Sequence, residues 1–373
     1  MSNEEGKEEE EPEEEAVIPP PRGTELSDAV EDFHFNQRRR IAYWLKIITR
    51  AKMALEREYG KDPDVAPVIL EFKEDLKKRR SLEIALEHAE MKLSKIGKWE
   101  KVRLYFEFHR MIKKKISPEK IIDSIKPILL QLKKWSQRTE RLYSRYLETE
   151  REVMKEIKAA IERRDIWINW LSQVRGIDLL LAAQIIGGFE SALEPEETLG
   201  KHFENPSQMN AFAGLDIDPK TGKAWKKKRG QKLHYNERLR SILIGRLGSS
   251  FLRQNSQHSG YRRLYDEAKE KLIRRFEKEG VKIVPSAKLP VDSAGRHYEP
   301  KGMISEAHLH QMALRIPVKM FICHLWEEIR RSEDLPSGKP YVIEVLGHPE
   351  ESYIPPIRDK FEQSKENQIA SLS

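Results

Sequence analysis

The sequence predicts a mainly α-helical protein: a long helical, coiled-coil-like N-terminal region followed by a compact helical domain with a helix–hairpin–helix. Three observations predict it. Apolar residues recur at spacings of three and four through most of the chain, which places them on one helical face. Residues 25–120 contain no alternation that reads as strands. Between 174 and 254, by contrast, capping residues and glycines cut the pattern into short helices.

Composition bounds the class. The 373 residues are long enough for two or more domains. No apolar run approaches a membrane span and the N-terminus is acidic, so a soluble, cytoplasmic protein is expected, with no membrane partner. The single cysteine, Cys323, excludes an internal disulfide and a cysteine-based zinc cluster. The net charge is +7, but residues 4–15 hold nine Glu and one Lys, so the remainder carries +15. A body this basic favours a polyanionic partner, most often nucleic acid; abundant charge of both signs also fits a heat-adapted surface.

In order, residues 1–24 are acidic and then Pro-rich and are expected to be disordered. Residues 25–116 form a helical region. Its first run, 26–59, places Val30, Phe33, Trp44, Ile47, Ile48, Ala51 and Leu55 on one stripe and ends before Pro63 and Pro67. A second run covers 68–95 and a third 99–115. Ser117 and Pro118 read as an N-cap and first helical position. From there 117–172 is expected as one long helix, because no breaker stands between Pro127 and Gly176. Such a rod has to pair with another helix, either of a second protomer in a homo-oligomer or of this chain.

Residues 173–280 carry the functional signals. In VRGIDLLLAAQIIGGF, Gly176 permits the positive φ of a tight turn and Asp178 caps the next helix, giving the layout of a helix–hairpin–helix. Its turn, with Arg175 and Gly176, offers backbone N–H groups to a phosphate, or serves packing alone. Asn205 and Pro206 start a helix that Gly214 ends. The following loop holds Lys220, Lys223, Lys226, Lys227, Lys228, Arg229 and Lys232 with no acid among them. Trp225 lies among these cations, which suits phosphate contacts with stacking on a base. The helix at 236–254 has a stripe of Leu239, Ile242, Leu243, Leu247 and Phe251. At 100° per residue Arg246 and Ser250 fall inside that stripe and Arg253 beside it, either as snorkelling and self-bonded groups or as a phosphate pocket shared with the loop.

Residues 281–300 read as a linker or ragged hairpin, 301–347 as a buried helix kinked at Pro317 with a return, and 348–373 as a polar tail. His308, His310 and His324 do not share a helical face at metal-ligand spacing, so no metal site is predicted.

The order of three motifs resembles one class of insertion-sequence transposases. These are VRGIDLLLAAQIIGGF, then FENPSQMNAFAGL, then KKKRGQ, supported by LHYNERLRSIL, YRRLYDEAK and AHLHQMALRIPVKMFICHLWE. The class is the DEDD-type recombinases, which join a RuvC-like acidic domain to a serine-bearing C-terminal domain. The resemblance covers about residues 174–347, with the preceding helix similar to the family's coiled-coil spacer. It implies a mobile-element protein that binds DNA, with a structured RNA as a further partner, in DNA transposition or recombination.

The chain departs from that family in three places. Asp178 stands where many such hairpins have a second Gly. Thr221, before Gly222, stands where the family's nucleophilic serine is expected; Ser250 is the other hydroxyl candidate. The strand-borne carboxylates of the acidic domain have no counterpart in 25–120, so no cofactor is evident and a divalent metal enters only if an acidic domain is supplied elsewhere. Two alternatives stand beside the transposase: an inactive, domesticated nucleic-acid-binding protein, and a helical scaffold for protein partners.

Overall fold

The computed structural model describes residues 24–77, 81–218, 222, 224–225, 230, 233–293, 295–337 and 353–360. Its helices are α1 (Glu25–Tyr59), α2 (Ala66–Lys77), α3 (Leu82–Lys95), α4 (Trp99–Lys113), α5 (Pro118–Gln131), α6 (Gln137–Glu162) and α7 (Asp165–Asn169). After a 3₁₀ turn at Leu171–Gln173 come α8 (Leu179–Glu190), α9 (Leu199–His202), α10 (Pro206–Phe212), α11 (Glu237–Ser241), a π-helical segment at Ile242–Leu247, α12 (Gly248–Leu252) and α13 (Gly260–Lys278). A strand β1 (Lys282–Val284), a 3₁₀ turn at Ser286–Lys288, a second strand, β2 (Met303–Ser305), and α14 (Glu306–Ser332) complete the described elements. The mainly α expectation is met. The predicted acidic segment lies, apart from Thr24, outside the described residues.

The chain forms two compact units. One takes Glu31–Lys155; the other combines Met1–Val30 with Glu156–Ser373. In the first, Ile47, Ala51 and Leu55 of α1, one turn apart, meet Phe72 of α2, Leu93 of α3, Phe106 of α4 and Ile125 of α5 in one core. Each such side chain contributes roughly 1.5–3 kcal/mol on burial. Phe72 and Phe106 pack edge to face with centroids 5.1 Å apart.

The expected single helix over 117–172 is corrected. α5 stops at Gln131, and α6 begins only at Gln137. Lys133 adopts φ +53°, and Lys134 returns its N–H to the Leu129 carbonyl at 2.8 Å, which closes the helix end without a glycine. Lys115 ends α4 by the same device, with Ile116 bonded to Met111. The helical partner of α6 lies within the chain: Arg40 of α1 grips buried Glu150 of α6 through two nitrogens, at 2.5 and 3.2 Å. Tyr43 and Tyr146 stack beside that pair, 5.6 Å apart.

In the second unit α8 is buried nearly all round, as its apolar sequence requires. Val30 of α1 lies against Gly187, where a Cβ would stand 3.1 Å from the valine. Glu190 at the end of α8 is buried and accepts from the Thr24 hydroxyl at 2.5 Å while pairing with Arg164. α13 lies along α14, and Phe251 of α12 stacks on Tyr261 of α13 at 4.5 Å.

Residues 281–300 contain a ragged hairpin, as one of the two expectations had it: Val291 and His297 form an antiparallel bridge, while β1 and β2 at the ends of the excursion pair in parallel, Lys282 with Met303 through Val284 with Ser305. Residues 353–360 of the predicted tail dock on the second unit. Buried Trp170 donates its indole N–H to the Ile357 carbonyl at 3.0 Å, and Ile357 packs onto Gly260, where a Cβ would stand 2.9 Å away. Residues 361–373 lie outside the described ones. α14 runs unbroken through Pro317. Among the described residues no helix is long and apolar enough to cross a membrane.

Candidate nucleic-acid interface

The predicted basic loop grows from a fixed base. Asn205 caps α10 with a complete capping box: its side chain accepts from Gln208, and the Gln208 amide reaches back to the Asn205 backbone. Gly214 ends the helix at φ +66°, and the ring of Tyr235 lies where its Cβ would be, 2.5 Å away. Only glycine fits both conditions. Asn236 then gives its N–H to the Phe212 carbonyl at 2.8 Å, closing the excursion where it began. The Asn236 side chain caps α11 by accepting from Leu239.

Lys220, Thr221, Lys223, Lys226, Lys227, Lys228, Arg229 and Lys232 all lie outside the described residues. Trp225 is described and is half-buried. Ile217 and Ala224 form an antiparallel bridge just before it. Its indole N–H donates to Asp216 Oδ2 at 3.0 Å, and its ring meets His234 edge-on at 4.2 Å. Trp225 is therefore anchored at the loop's root through its polar edge.

Arg240 of α11 reaches the same place. Both of its terminal nitrogens donate to the Trp225 carbonyl, at 3.2 and 3.3 Å, and its guanidinium lies over the Tyr235 ring at 5.0 Å. From α14, half-buried Arg315 and Lys319 add two further cations. Burial lowers the Arg315 guanidinium from its ordinary value, Arg240 lowers it further and Asp216 opposes. Burial likewise lowers the Lys319 amine, with Arg315 adding to the effect and Asp216 opposing. Sequence reading passed over these three residues. The available signal was Arg315 and Lys319 one turn apart in a helix otherwise rich in apolar residues.

The hairpin takes its expected shape. Gly176 has φ +89°, and Asp178 accepts from the Leu181 N–H at 2.8 Å. Its turn, however, is tied into the protein. The Arg175 N–H goes to Asp359 Oδ2 at 3.2 Å, and the Gly176 carbonyl accepts from the Ser250 hydroxyl at 2.5 Å. Asp359 also accepts from Gly260 at 2.8 Å, so one carboxylate serves both the hairpin turn and the start of α13. Burial raises Asp359, and the two backbone N–H groups oppose that.

The helix expected over 236–254 is interrupted by the π-helical segment at Ile242–Leu247, which alters the register behind it. Arg246 consequently is exposed and not within the apolar stripe; it donates to the fully buried Gln184 Oε1 at 2.6 Å. Ser250 stays buried on the Gly176 carbonyl. Arg246 and Ser250 thus have separate partners, the loop cations of the expected pocket lie outside the described residues, and Arg253 stands at the surface.

The histidines each have separate partners: His308 with Glu299 at 2.6 Å, His310 with the Tyr265 hydroxyl at 2.7 Å, and His324 with the Tyr261 hydroxyl at 2.7 Å. Among the described residues no group of three or more side chains is placed to hold a metal. Burial pushes the Cys323 thiol up, away from the reactive thiolate. Compared with known proteins, the chain matches no family model, no curated protein and no solved structure.

Proposed function

We propose that this chain is a transposase-like nucleic-acid-binding protein, related to the insertion-sequence transposases and acting on DNA in transposition or recombination. The observation that carries the reading is the basic loop on its fixed base. Seven cations between residues 220 and 232, with no acid among them, spring from a root held by Asp216, Trp225 and Arg240. Cations concentrated on one surface gain affinity for a phosphate backbone by releasing its counterions. The seven charges are concentrated between residues 220 and 232 of the sequence.

The form of the reading best supported is binding without strand cutting. The unit Glu31–Lys155 is built of α1 to α6, with no strand among its described residues to carry the family's carboxylates. Ser250, one of the two hydroxyl candidates, is committed to the Gly176 carbonyl inside the protein.

The test is titration of the full chain into a labelled DNA duplex, with an RNA duplex and single-stranded DNA beside it. Salt-sensitive association supports the reading, and its absence on all three overturns it. Metal-dependent cleavage of supplied element ends that vanished in Thr221→Ala would replace the non-cutting form with the enzyme.

A further inference from the structure

Arg240, Arg315 and Lys319 are three cations on two helices, α11 and α14, gathered at the root of the basic loop. Like charges one turn apart on a helix repel by a few tenths of a kcal/mol even when exposed. These are half-buried, so each also gives up part of its hydration.

Direct pairing with a carboxylate does not offset this among the described residues. Arg315 and Lys319 make no hydrogen bond or ion pair among the described residues. The donors of Arg240 go to a neutral carbonyl, that of Trp225. One acidic side chain acts on both α14 cations, Asp216, and it already accepts the Trp225 indole N–H through one oxygen. Its other oxygen is buried, makes no hydrogen bond among the described residues and lies 3.9 Å from His234 Nε2. Arg315 and Lys319 therefore share the influence of one carboxylate that neither is hydrogen-bonded to.

The surroundings fix the helix that carries Arg315 and Lys319. α14 packs against α10, whose capping box fixes its start. Ala313, Leu314, Val318 and Ile322 bury the face of α14 next to Arg315 and Lys319. Half-buried cations on a packed helix, with no hydrogen-bonded counter-ion among the described residues, are what an anion site offers its ligand.

Resting on the nucleic-acid reading above, we infer that Arg315 and Lys319, with Arg240 at the loop root, form a binding site for one phosphate group of the nucleic-acid backbone. The site positions the polyanion at the base from which the basic loop leaves. Arg315 contributes a planar fork matched to two phosphate oxygens, and Lys319 a point charge.

The experiment uses the full chain and a short labelled duplex, with affinity read by fluorescence anisotropy between about 50 and 200 mM salt. The double variant R315Q/K319Q is expected to bind on the order of tenfold more weakly. The slope of log affinity against log salt should shrink by roughly one, as when a single phosphate is no longer neutralised. The R315K/K319R variant keeps both charges and should retain the slope, which separates charge loss from a folding defect. Inorganic phosphate should raise the melting temperature of the wild type and not that of R315Q/K319Q.

An unchanged slope in R315Q/K319Q, together with no protection by phosphate, overturns the inference. If a loop variant, K226E/K227E, then still weakens binding, the nucleic-acid reading survives; if neither variant changes binding, both are wrong. Protection by phosphate with an unchanged duplex slope keeps the anion site and assigns it to free phosphate.

Discussion

The hydroxyl of Ser250 donates to the carbonyl of Gly176 across 2.5 Å, joining the hairpin turn to α12 in the space a side chain at 176 would occupy. A Cβ on Gly176 would lie 2.9 Å from Ser250 Oγ and 3.2 Å from Gln254 Nε2. The turn's positive φ and its close approach both require glycine.

Gly176→Ala is accordingly expected to destabilise the protein by about 2 kcal/mol or more, from strained backbone and displaced Ser250 together. Ser250→Ala leaves the Gly176 carbonyl without its partner and should cost about 1 kcal/mol. Urea denaturation of the two variants measures both. Equal stability of Gly176→Ala and the wild type would remove the steric account of this turn.

Asp359→Ala should destabilise by about 2–3 kcal/mol, although the residue lies near the end of the chain. Its carboxylate accepts from both Arg175 and Gly260, and removal leaves two backbone N–H groups unpaired in a part-buried setting. Thermal unfolding is the measurement. A change within a few tenths of a kcal/mol would mean that residues 353–360 are peripheral to stability.

His324 makes stability fall in acid. Its ring is 1 % exposed, receives the Tyr261 hydroxyl at Nδ1 and donates from Nε2 to the Ile354 carbonyl at 2.9 Å, so the neutral form is fully satisfied. Burial lowers its pKa from 6.5 to about 4, against the Ile354 carbonyl, which raises it. A depressed folded value means the contribution is complete above 6.5 and is lost as pH falls through 6.5 towards 4. The loss is on the order of 3 kcal/mol. His324→Gln should therefore lose less stability than the wild type between about pH 7 and pH 4. His109, lowered to about 4 by its own burial, stays in both proteins as a common background. Parallel pH profiles for the two proteins would contradict the assignment to His324.

What the sequence disclosed followed from local chemistry. The caps at Asp178 and Asn205 and the turns at Gly176 and Gly214 depend on residue types whose conformational roles are strong, and each sits where expected. The end of α5 was hidden because lysine at positive φ is rare, so Lys133 gave no sign of a break. The π-helical turn at Ile242–Leu247 left no mark in composition, and it moved Arg246 out of the stripe that a regular helix would have given. The docking of Ile357 and Asp359 is set by partners more than ninety residues away in the chain, which periodicity does not report. Arg315 and Lys319 carried a usable sign, two cations at helical spacing beside Ala313, Leu314 and Val318, whose meaning emerged only once Arg240 was placed beside them.

The central claim, that the basic loop binds a phosphate backbone, is tested most directly by charge reversal at Lys226, Lys227, Lys228 and Arg229 in the full chain. Affinity for a labelled duplex is followed as salt is raised. The account predicts weaker binding and a shallower salt slope, reduced by roughly 0.9 for each phosphate no longer neutralised. Binding of undiminished affinity and unchanged slope would contradict it.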